Sequence, residues 1–379
     1  MWDIVIVGAR CAGAATALHF ARSGRSVLIL DKTDLASDTL STHVLVPPAI
    51  AQLKEVGLLD AVCATGAPPV HTFLVEFNGN AFPSPLAGPS DYLLSVRRTV
   101  LDPLLAHAAE QAGATVRFQV QLEALLWEND RVVGVRCRDK DGRRFTETAR
   151  LVVGADGRHS LVAQQVCTVE YQVLESETGA FYAYFADVGP SVAGADVLRI
   201  ASGPGCEALC CPCDGDQHVM LLAVSRGEFV QINKQGPAAY EARLRTIPSV
   251  APCLQHARRI SRIHPANPRE LRGYFRTSYG PGWVLVGDAG YHAHPAAANG
   301  IADALRAAAL VHDCVERAWA ADEPAEMELA EYQRIRDVEN TQPFYFSYRL
   351  GKVNPFTDPE MAAAVTGGQA SLQISTAAD

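Results

Sequence analysis

A glycine-rich segment near the N-terminus has the spacing of a phosphate-binding loop. Gly8 and Gly13 match the outer glycines of a Gly-x-Gly-x-x-Gly pattern, and Arg10 stands at the middle position. Asp31 follows about twenty residues later, where a carboxylate accepts hydrogen bonds from ribose hydroxyls. These residues predict a dinucleotide site, and a strand-to-helix turn without a ligand is the alternative.

Two apolar runs and an Ala-rich stretch must position this loop. Residues 3–7 and 26–30 are apolar after their first residue, as in parallel strands covered on both faces, and residues 12–22 have helical character. The sequence therefore opens with a βαβ unit and predicts an α/β fold. Further predicted helices span 47–62, 99–112, 237–246 and 300–319; further strands span 115–128, 131–138, 144–153 and 283–286; a hairpin spans 68–86.

Three histidines are candidates for acid–base chemistry. His292 and His294 follow the predicted strand 283–286 closely, and His43 follows two hydroxyl residues. A histidine titrates near neutral pH and can orient a substrate or move a proton. Packing or capping of a loop is the alternative for each of them.

The composition excludes several classes of protein. The chain has 379 residues, with 33 Lys and Arg against 42 Asp and Glu, and a formal net charge of −9. Without a basic excess, the chain lacks the usual electrostatic source of nucleic-acid binding. The first apolar run is too short for a signal core or a membrane span, so we expect a cytoplasmic protein.

The ten cysteines do not have the spacing of a secreted disulfide framework. Only residues 210–213 (CCPC) form a cluster. Adjacent cysteines are poorly spaced for chelation, so we interpret the cluster as a thiol-lined strand or hairpin and predict no metal site.

Two later segments relate the chain to a known family. Residues 153–158 (VGADGR) and 285–290 (LVGDAG) resemble the DG and GD motifs of flavoproteins with the p-hydroxybenzoate hydroxylase fold. Residues 41–43 (STH) and 97–102 (RRTVLD) extend the resemblance, which covers about 1–165 and 275–320. That family includes flavin monooxygenases, geranylgeranyl-type reductases and flavin halogenases.

The resemblance implies FAD as cofactor and NAD(P)H as a transient co-substrate. It places the ADP half of FAD on Gly8, Gly13 and Asp31, and the ribityl chain on Asp288. After the GD motif the family has Pro-x-x-Gly-x-Gly, of which this chain keeps only the proline and the last glycine, Gly300. The full set of implied cofactor-binding residues is Gly8, Arg10, Ala12, Gly13, Asp31, Lys32, Arg98, Leu122, Asp156, Asp288, Gly300, Ile301 and Ala302.

The resemblance also implies a reaction. We expect an NAD(P)H-dependent FAD monooxygenase that hydroxylates or epoxidises an aromatic or polyketide-like small molecule through a flavin hydroperoxide, with dioxygen as co-substrate. An FAD-dependent alkene reductase and a non-catalytic flavin-binding sensor are the alternatives. The halogenase function is disfavoured because the Trp-x-Trp-x-Ile-Pro motif is absent from the sequence.

The order of the motifs predicts a discontinuous, Rossmann-like FAD-binding domain with an inserted β-sheet domain. We assign 1–75, 91–165 and 276–325 to the FAD-binding domain. Residues 76–90 and 166–275 are assigned to the substrate domain. Residues 326–379 form a C-terminal segment, whose tail from 357 has no periodicity and is expected to be partly disordered or a loose helix.

Overall fold

The central element of the structure is a mostly parallel sheet built around the first strand of the chain. The computed structural model describes residues 1–34, 38–39, 41–86, 88, 91–189 and 197–366. The strands are β1 (Trp2–Val7), β2 (Val27–Asp31), β3 (Val44–Leu45), β4 (Thr72–Phe77), β5 (Asn80–Pro85), β6 (Leu94–Ser95), β7 (Thr115–Phe118), β8 (Val120–Glu128), β9 (Arg131–Asp139), β10 (Arg144–Gly154), β11 (Glu170–Leu174), β12 (Thr178–Ala186), β13 (Val197–Gly203), β14 (Cys206–Cys213), β15 (Gln217–Ser225), β16 (Arg258–Arg259), β17 (His264–Ala266), β18 (Gly273–Arg276), β19 (Tyr279–Gly280), β20 (Trp283–Leu285) and β21 (Tyr291–His292).

Most of the helices cover one face of this sheet or pack against a second sheet, and the last one lies at the end of the described chain. They are α1 (Cys11–Arg22), α2 (Pro47–Glu55), α3 (Leu59–Cys63), α4 (Arg98–Gln111), α5 (Leu161–Gln165), α6 (Arg226–Gln235), α7 (Pro237–Leu244), α8 (Gly300–Ala320), α9 (Ala325–Leu350) and α10 (Pro359–Thr366). Within the described ranges, no helix has the length and apolarity needed to cross a membrane.

The first sheet has the order β19-β20-β10-β1-β2-β7, in which β20, β10, β1, β2 and β7 run parallel. Its strands β1 and β2 are buried along nearly their whole length because helices cover one face and the β8–β9 hairpin covers the other. This arrangement explains their uninterrupted apolar sequence. It confirms the predicted α/β class and the Rossmann-like unit.

A second sheet, mostly antiparallel, supplies the opposite wall of the molecule. Its order is β16-β12-β15-β14-β13-β4-β5, so the hairpin from Thr72 to Pro85 joins strands that lie more than a hundred residues later in the chain. Helices α6 and α7 cover one face with an apolar cluster. The other face packs against α2, α4 and α8, which makes one continuous core between the two sheets.

Several elements differ in detail from the sequence prediction. The helix predicted over 47–62 is two helices, because Gly57 adopts φ +66° between them. The strand predicted over 115–128 is broken at Gln119, which has φ +57°. The Cys210–Cys213 cluster lies in β14, as the thiol-lined strand required. Among the described residues, no three metal-ligating side chains lie together.

The C-terminal segment contains the longest helix in the described part of the chain. Helix α9 runs antiparallel to α8 after a short turn and reaches the second sheet through Gly351, whose carbonyl accepts a hydrogen bond from Thr178 Oγ1 at 2.8 Å. The sequence analysis did not predict α9. Of the tail expected to be disordered or loosely helical, Pro359–Thr366 forms α10, and residues 367–379 lie outside the described ranges.

The close contact between Gly13 and the backbone of Gly8 gives a prediction about stability. A Cβ atom on Gly13 would lie 1.8 Å from the Gly8 carbonyl oxygen, which belongs to rigid backbone. Gly13→Ala should therefore lower the free energy of unfolding by about 3 kcal/mol or more, measured by urea denaturation. Gly227→Ala is the control, because that exposed helical glycine has open space around it and should be unchanged or stabilised by up to about 1 kcal/mol. Equal stability of Gly13→Ala and the parent would contradict the packing described.

Candidate functional site

A deep cavity lies between the C-terminal ends of the parallel strands and the second sheet. Its volume is about 450 Å³, within the range of ligand-binding cavities. Most of the predicted cofactor residues line it, and so do His292 and His294. Gly13, Ala302 and His43 do not line it. The cofactor-binding residues that do are Gly8, Arg10, Ala12, Asp31, Lys32, Arg98, Leu122, Asp156, Asp288, Gly300 and Ile301.

The glycine loop forms one wall of the cavity. Gly8 has φ +108°, and a Cβ there would lie 2.4 Å from the Ala155 carbonyl oxygen. Helix α1 begins directly after Arg10 with no side-chain cap and no acidic residue in its first turn. Its N–H groups and the positive end of its dipole are therefore available to an anion in the cavity.

Asp31 holds this loop in shape as well as facing the cavity. Its Oδ2 accepts the N–H of Ala9 at 2.7 Å, and its Oδ1 accepts both the N–H and the hydroxyl of Thr33 at 2.8 Å. A carboxylate has about four acceptor positions, and three are used. The remaining acceptor position suits one ribose hydroxyl.

Arg98 begins helix α4 and is fixed by a buried ion pair. Its Nη2 lies 2.8 Å from Asp102 Oδ1, and Cys11 Sγ donates to the same oxygen at 3.2 Å. Burial alone would lower the pKa of Arg98, but the Asp102 carboxylate raises it above its usual range. The pair therefore joins α4 to the first turn of α1 and places a permanent cation beside the glycine loop.

The two acidic residues of the later motifs have different partners. Asp156 supports the start of α5, whose N-cap is Ser160: its carboxylate accepts the Ser160 hydroxyl at 2.5 Å and the Leu161 N–H at 2.7 Å. The Asp288 carboxylate accepts no hydrogen bond from any residue in the described part of the chain, although Tyr274 donates to its backbone carbonyl at 2.7 Å. Asp288 therefore has its acceptor positions available to a ligand, whereas those of Asp156 are largely used.

The N-terminus of helix α8 forms the floor of the cavity. Gly300 and Ile301 line it, and the preceding Asn299 gives no side-chain cap. Ala302 is buried on the opposite side, where its carbonyl accepts Gln52 Nε2 at 3.4 Å. The floor therefore offers backbone N–H groups at the positive end of a 21-residue helix.

His292 presents a neutral imidazole at the cavity wall. Its Nδ1 lies 2.8 Å from the Arg272 carbonyl oxygen and must carry the proton, because a carbonyl can only accept. Burial lowers the pKa of His292 below its usual value, and the Asp288 carboxylate only partly opposes this effect. Nε2 is then an acceptor with no partner among the described residues.

His294 is held by the backbone around it. Its Nδ1 accepts the Ala296 N–H at 3.3 Å, and its Nε2 lies 3.4 Å from Thr178 Oγ1. Burial lowers the pKa of His294 to about 3. The ring packs so closely on Gly351 that a Cβ there would lie 2.3 Å from it. His294 therefore connects the cavity wall to the end of α9, and its role toward a substrate stays a prediction.

His43 lies behind the cavity wall instead of on it, and its catalytic role stays a prediction. The residue is fully buried with φ +63°, and its Nε2 lies 3.1 Å from the Tyr184 hydroxyl. Burial lowers the pKa of His43 to about 3, and the Arg98 charge adds to the effect. This geometry makes it a neutral partner of Tyr184 in the core between the sheets.

Tyr291 and Asp303 are polar residues of the cavity for which the sequence predicted no role. Both line it, and the Tyr291 hydroxyl is buried without a hydrogen-bond partner in the described residues. Asp303 stands three residues after Gly300 among Ala and Leu residues. A single carboxylate on an otherwise apolar helix start was the signal available for it.

These features fit a bound dinucleotide. The cavity has uncapped helix starts on two sides, a cation at Arg98 and an unpartnered carboxylate at Asp288. The phosphates of a dinucleotide would bind the helix starts and the Arg98 cation, and a hydroxyl group beside them would donate to Asp288.

Comparison with known proteins identifies the cofactor. The family model described as "FAD binding domain" matches residues 1–338 of the chain. The cofactor is therefore FAD, as the resemblance of the glycine, DG and GD segments implied.

The curated relatives have different reactions. Squalene epoxidase 3 of Arabidopsis thaliana is 24% identical over 325 residues, which cover 82% of this chain and 59% of that protein. Digeranylgeranylglycerophospholipid reductase 1 of Methanopyrus kandleri is 25% identical over 384 residues, which cover 94% of this chain and 92% of the reductase. The chain spans 33% to 59% of the length of the squalene epoxidases that it matches.

Solved structures share the fold over nearly the whole chain. The myxobacterial chondrochloren halogenase has a TM-score of 0.84 at 21% identity, covering 98% of this chain and 91% of its own. The probable FAD-dependent monooxygenase pqsL from Pseudomonas aeruginosa has a TM-score of 0.79 at 20% identity, covering 97% of each chain. At these identities the likeness shows the fold alone.

The unpartnered Asp288 carboxylate gives a prediction about cofactor affinity. Asp288→Ala should weaken FAD binding by about 1.5–3 kcal/mol, the scale of a lost hydrogen bond to a charged group. The affinity is measured by titrating the apoprotein with FAD and following the flavin fluorescence. Asp141→Ala, at an exposed turn, is the control and should bind as the parent does. Parent-like affinity of a folded Asp288→Ala protein would show that the carboxylate does not contact FAD.

Proposed function

Because the chain belongs to the FAD binding domain family, we propose that it is an FAD-dependent monooxygenase that oxygenates an apolar small molecule with a nicotinamide nucleotide and dioxygen. One observation carries the proposal. A single cavity joins the nucleotide-binding strand ends to an apolar face of the second sheet. A substrate on that face and a flavin at the strand ends would therefore share one enclosed space.

FAD, when bound, supplies the redox and oxygen chemistry, and the chain positions the reactants around it. The glycine loop and the start of α1 would bind the pyrophosphate, and Asp31 would bind the adenosine ribose. Asp288 would accept a hydrogen bond from the ribityl chain. The N–H groups at Gly300 and Ile301 would stabilise negative charge on the reduced ring, since they lie at the positive end of α8.

The apolar face of the second sheet, which forms the substrate wall of the cavity, would exclude water from the reaction. The wall consists of Ala180, Tyr182, Leu221, Ala266 and Leu271. Phe181 also borders the cavity, but its ring stacks on Phe229 on the other face of the sheet. Exclusion of water protects a reactive oxygen species from side reactions, which favours oxygen transfer at such a wall. An aromatic or polyketide-like body would suit these apolar and aromatic contacts.

His292 supports a substrate with a hydrogen-bond donor. Its Nε2 is an acceptor with no described partner, and its Nδ1 is fixed by the Arg272 carbonyl. A hydroxyl or phenol of the substrate would satisfy Nε2, and the neutral ring could take up its proton as oxygenation proceeds.

An alkene reductase is the second candidate. It is favoured by the match to the Methanopyrus kandleri reductase, which extends over 92% of that protein. The α8 start would support a reduced flavin in either reaction, so the fate of dioxygen separates the two functions.

Isotope labelling tests the reaction. With ¹⁸O-labelled dioxygen and a panel of phenolic and polyketide-like compounds, one labelled oxygen atom should enter the product, detected by mass spectrometry. Nicotinamide oxidation should accelerate when the substrate is added. A product that gains two hydrogens under anaerobic conditions, with no label, would instead establish the reductase.

His292→Ala should leave FAD bound and lower kcat about a hundredfold, because the variant lacks the acceptor for the substrate proton. His107→Ala, on an exposed part of α4, is the control and should turn over normally. In the parent, burial keeps the pKa of His292 below its usual value of 6.5. Activity should therefore persist through neutral pH and be lost only as the pH falls through that lowered pKa. Loss of FAD from the His292→Ala protein would make the residue structural.

A further inference from the structure

Asp303 is a carboxylate at the cavity floor that neither the sequence motifs nor the family resemblance assigns. It lies in the first turn of α8 and lines both the main cavity and a narrow crevice between α8 and α9. Its side-chain oxygens accept no hydrogen bond from any residue in the described ranges. Asp303 is half-buried. Once a ligand filled the cavity and displaced the water, an ionised carboxylate there would lack the partners that usually stabilise a buried charge.

The charges facing Asp303 are mainly negative. Asp288 faces it from the loop after β20, and Glu339 faces it from α9. The one cation on its own helix nearby, Arg306, is held by Glu339 at 2.6 Å. Burial, reinforced by the two carboxylates, raises the pKa of Asp303 to about 8.

The remaining groups around the crevice do not supply a counter-charge. Arg336 on α9 is committed to Asp337 at 2.7 Å and donates to the Arg276 carbonyl at 3.0 Å. From β21 the ring of Tyr291 closes the crevice, and burial raises the pKa of its hydroxyl well above its usual value. Asp303 is therefore surrounded by carboxylates, a neutral phenol and arginines that already have partners.

The ionisation state of Asp303 decides what the start of α8 presents to the cavity. A negative charge in the first turn of a helix cancels the positive end of its dipole. A neutral Asp303 leaves that potential, together with the N–H groups of Gly300 and Ile301, to an anionic ligand. FAD that filled the cavity would displace water from around Asp303 and so would oppose its ionisation further.

A second observation points to a ligand at the same place. The Tyr291 side chain is 5% exposed, lines both the cavity and the crevice, and its hydroxyl has no partner in the described chain. A buried donor without an acceptor is costly unless a ligand satisfies it. Tyr291 and a neutral Asp303 would present two O–H donors to one side of a bound molecule.

We propose that Asp303 binds FAD as a neutral acid, so that FAD binding is coupled to the retention of one proton at this residue. The inference rests on FAD binding by the family and not on the reaction. A protein that fails to incorporate oxygen would still show the coupling, so failure of the proposed function and failure of this inference are distinguishable.

The test is the dissociation constant of FAD from the apoprotein between pH 6 and 9.5. For the parent, the constant should be level at low pH and rise toward about tenfold per pH unit above pH 8, because the free protein then loses the proton that the complex keeps. Asp303→Asn, which is neutral at every pH, should bind FAD as the parent does at pH 6 and should remove the rise. A level parent curve, or the same rise in Asp303→Asn, would overturn the proposal.

Two further measurements test the proposal even if the Asp303→Asn protein does not fold. Calorimetric titration of the parent at pH 9 in two buffers of different ionisation enthalpy should show uptake of close to one proton per FAD, and none at pH 6. No proton uptake at pH 9 would overturn the proposal. Glu339→Gln is the matched control, since it removes a facing carboxylate and releases Arg306. It should keep the rise but move its onset to lower pH.

Discussion

The contact between the Gly8 backbone and the first turn of α1 is the constraint on which the site depends. A Cβ at Gly8 would lie 2.4 Å from the Ala155 carbonyl oxygen, and a Cβ at Gly13 would lie 1.8 Å from the Gly8 carbonyl oxygen. The ends of β1 and β10 and the first turn of α1 therefore pack backbone against backbone, with no room for side chains. This close approach sets the loop that Asp31 then fixes through the Ala9 N–H at 2.7 Å. Because the helix starts without a side-chain cap at this point, its first N–H groups are available to a ligand in the cavity.

The second half of the site comes from a distant part of the chain, and its electrostatics complement those of the first. Helix α8 adds another uncapped start, so two helix dipoles direct their positive ends toward one cavity. Acidic residues near that floor must bind the cofactor without cancelling this positive potential. Asp288 can accept hydrogen bonds from hydroxyl groups of the cofactor. A neutral Asp303 can donate a hydrogen bond and adds no negative charge. The apolar face of the second sheet completes the enclosure and lowers the local dielectric, which strengthens both effects.

The sequence predicted the parts of the fold that rest on local patterns. The βαβ unit and the strand and loop around Asp288 were predictable because apolar runs and glycine spacing report directly on buried strands and tight turns. Helix α9 was missed because its buried positions include Arg336, Asn340 and Ser347, so no apolar stripe marks it. The full burial of His43 could not be predicted from its neighbours in sequence, because the Tyr182 and Tyr184 rings that pack on it come from a strand more than a hundred residues later. Asp303 was missed because its environment comes from three elements that are distant in sequence.

We propose above all that the cavity holds the adenosine half of a flavin on the Gly8 loop and the reduced ring on α8. The direct measurement is the amount and identity of the flavin released when the purified, FAD-reconstituted protein is denatured after desalting. The account predicts one FAD per chain, determined by absorbance and chromatography. Release of FMN would contradict the role of the Gly8 loop and Asp31, and a colourless protein would contradict the claim as a whole.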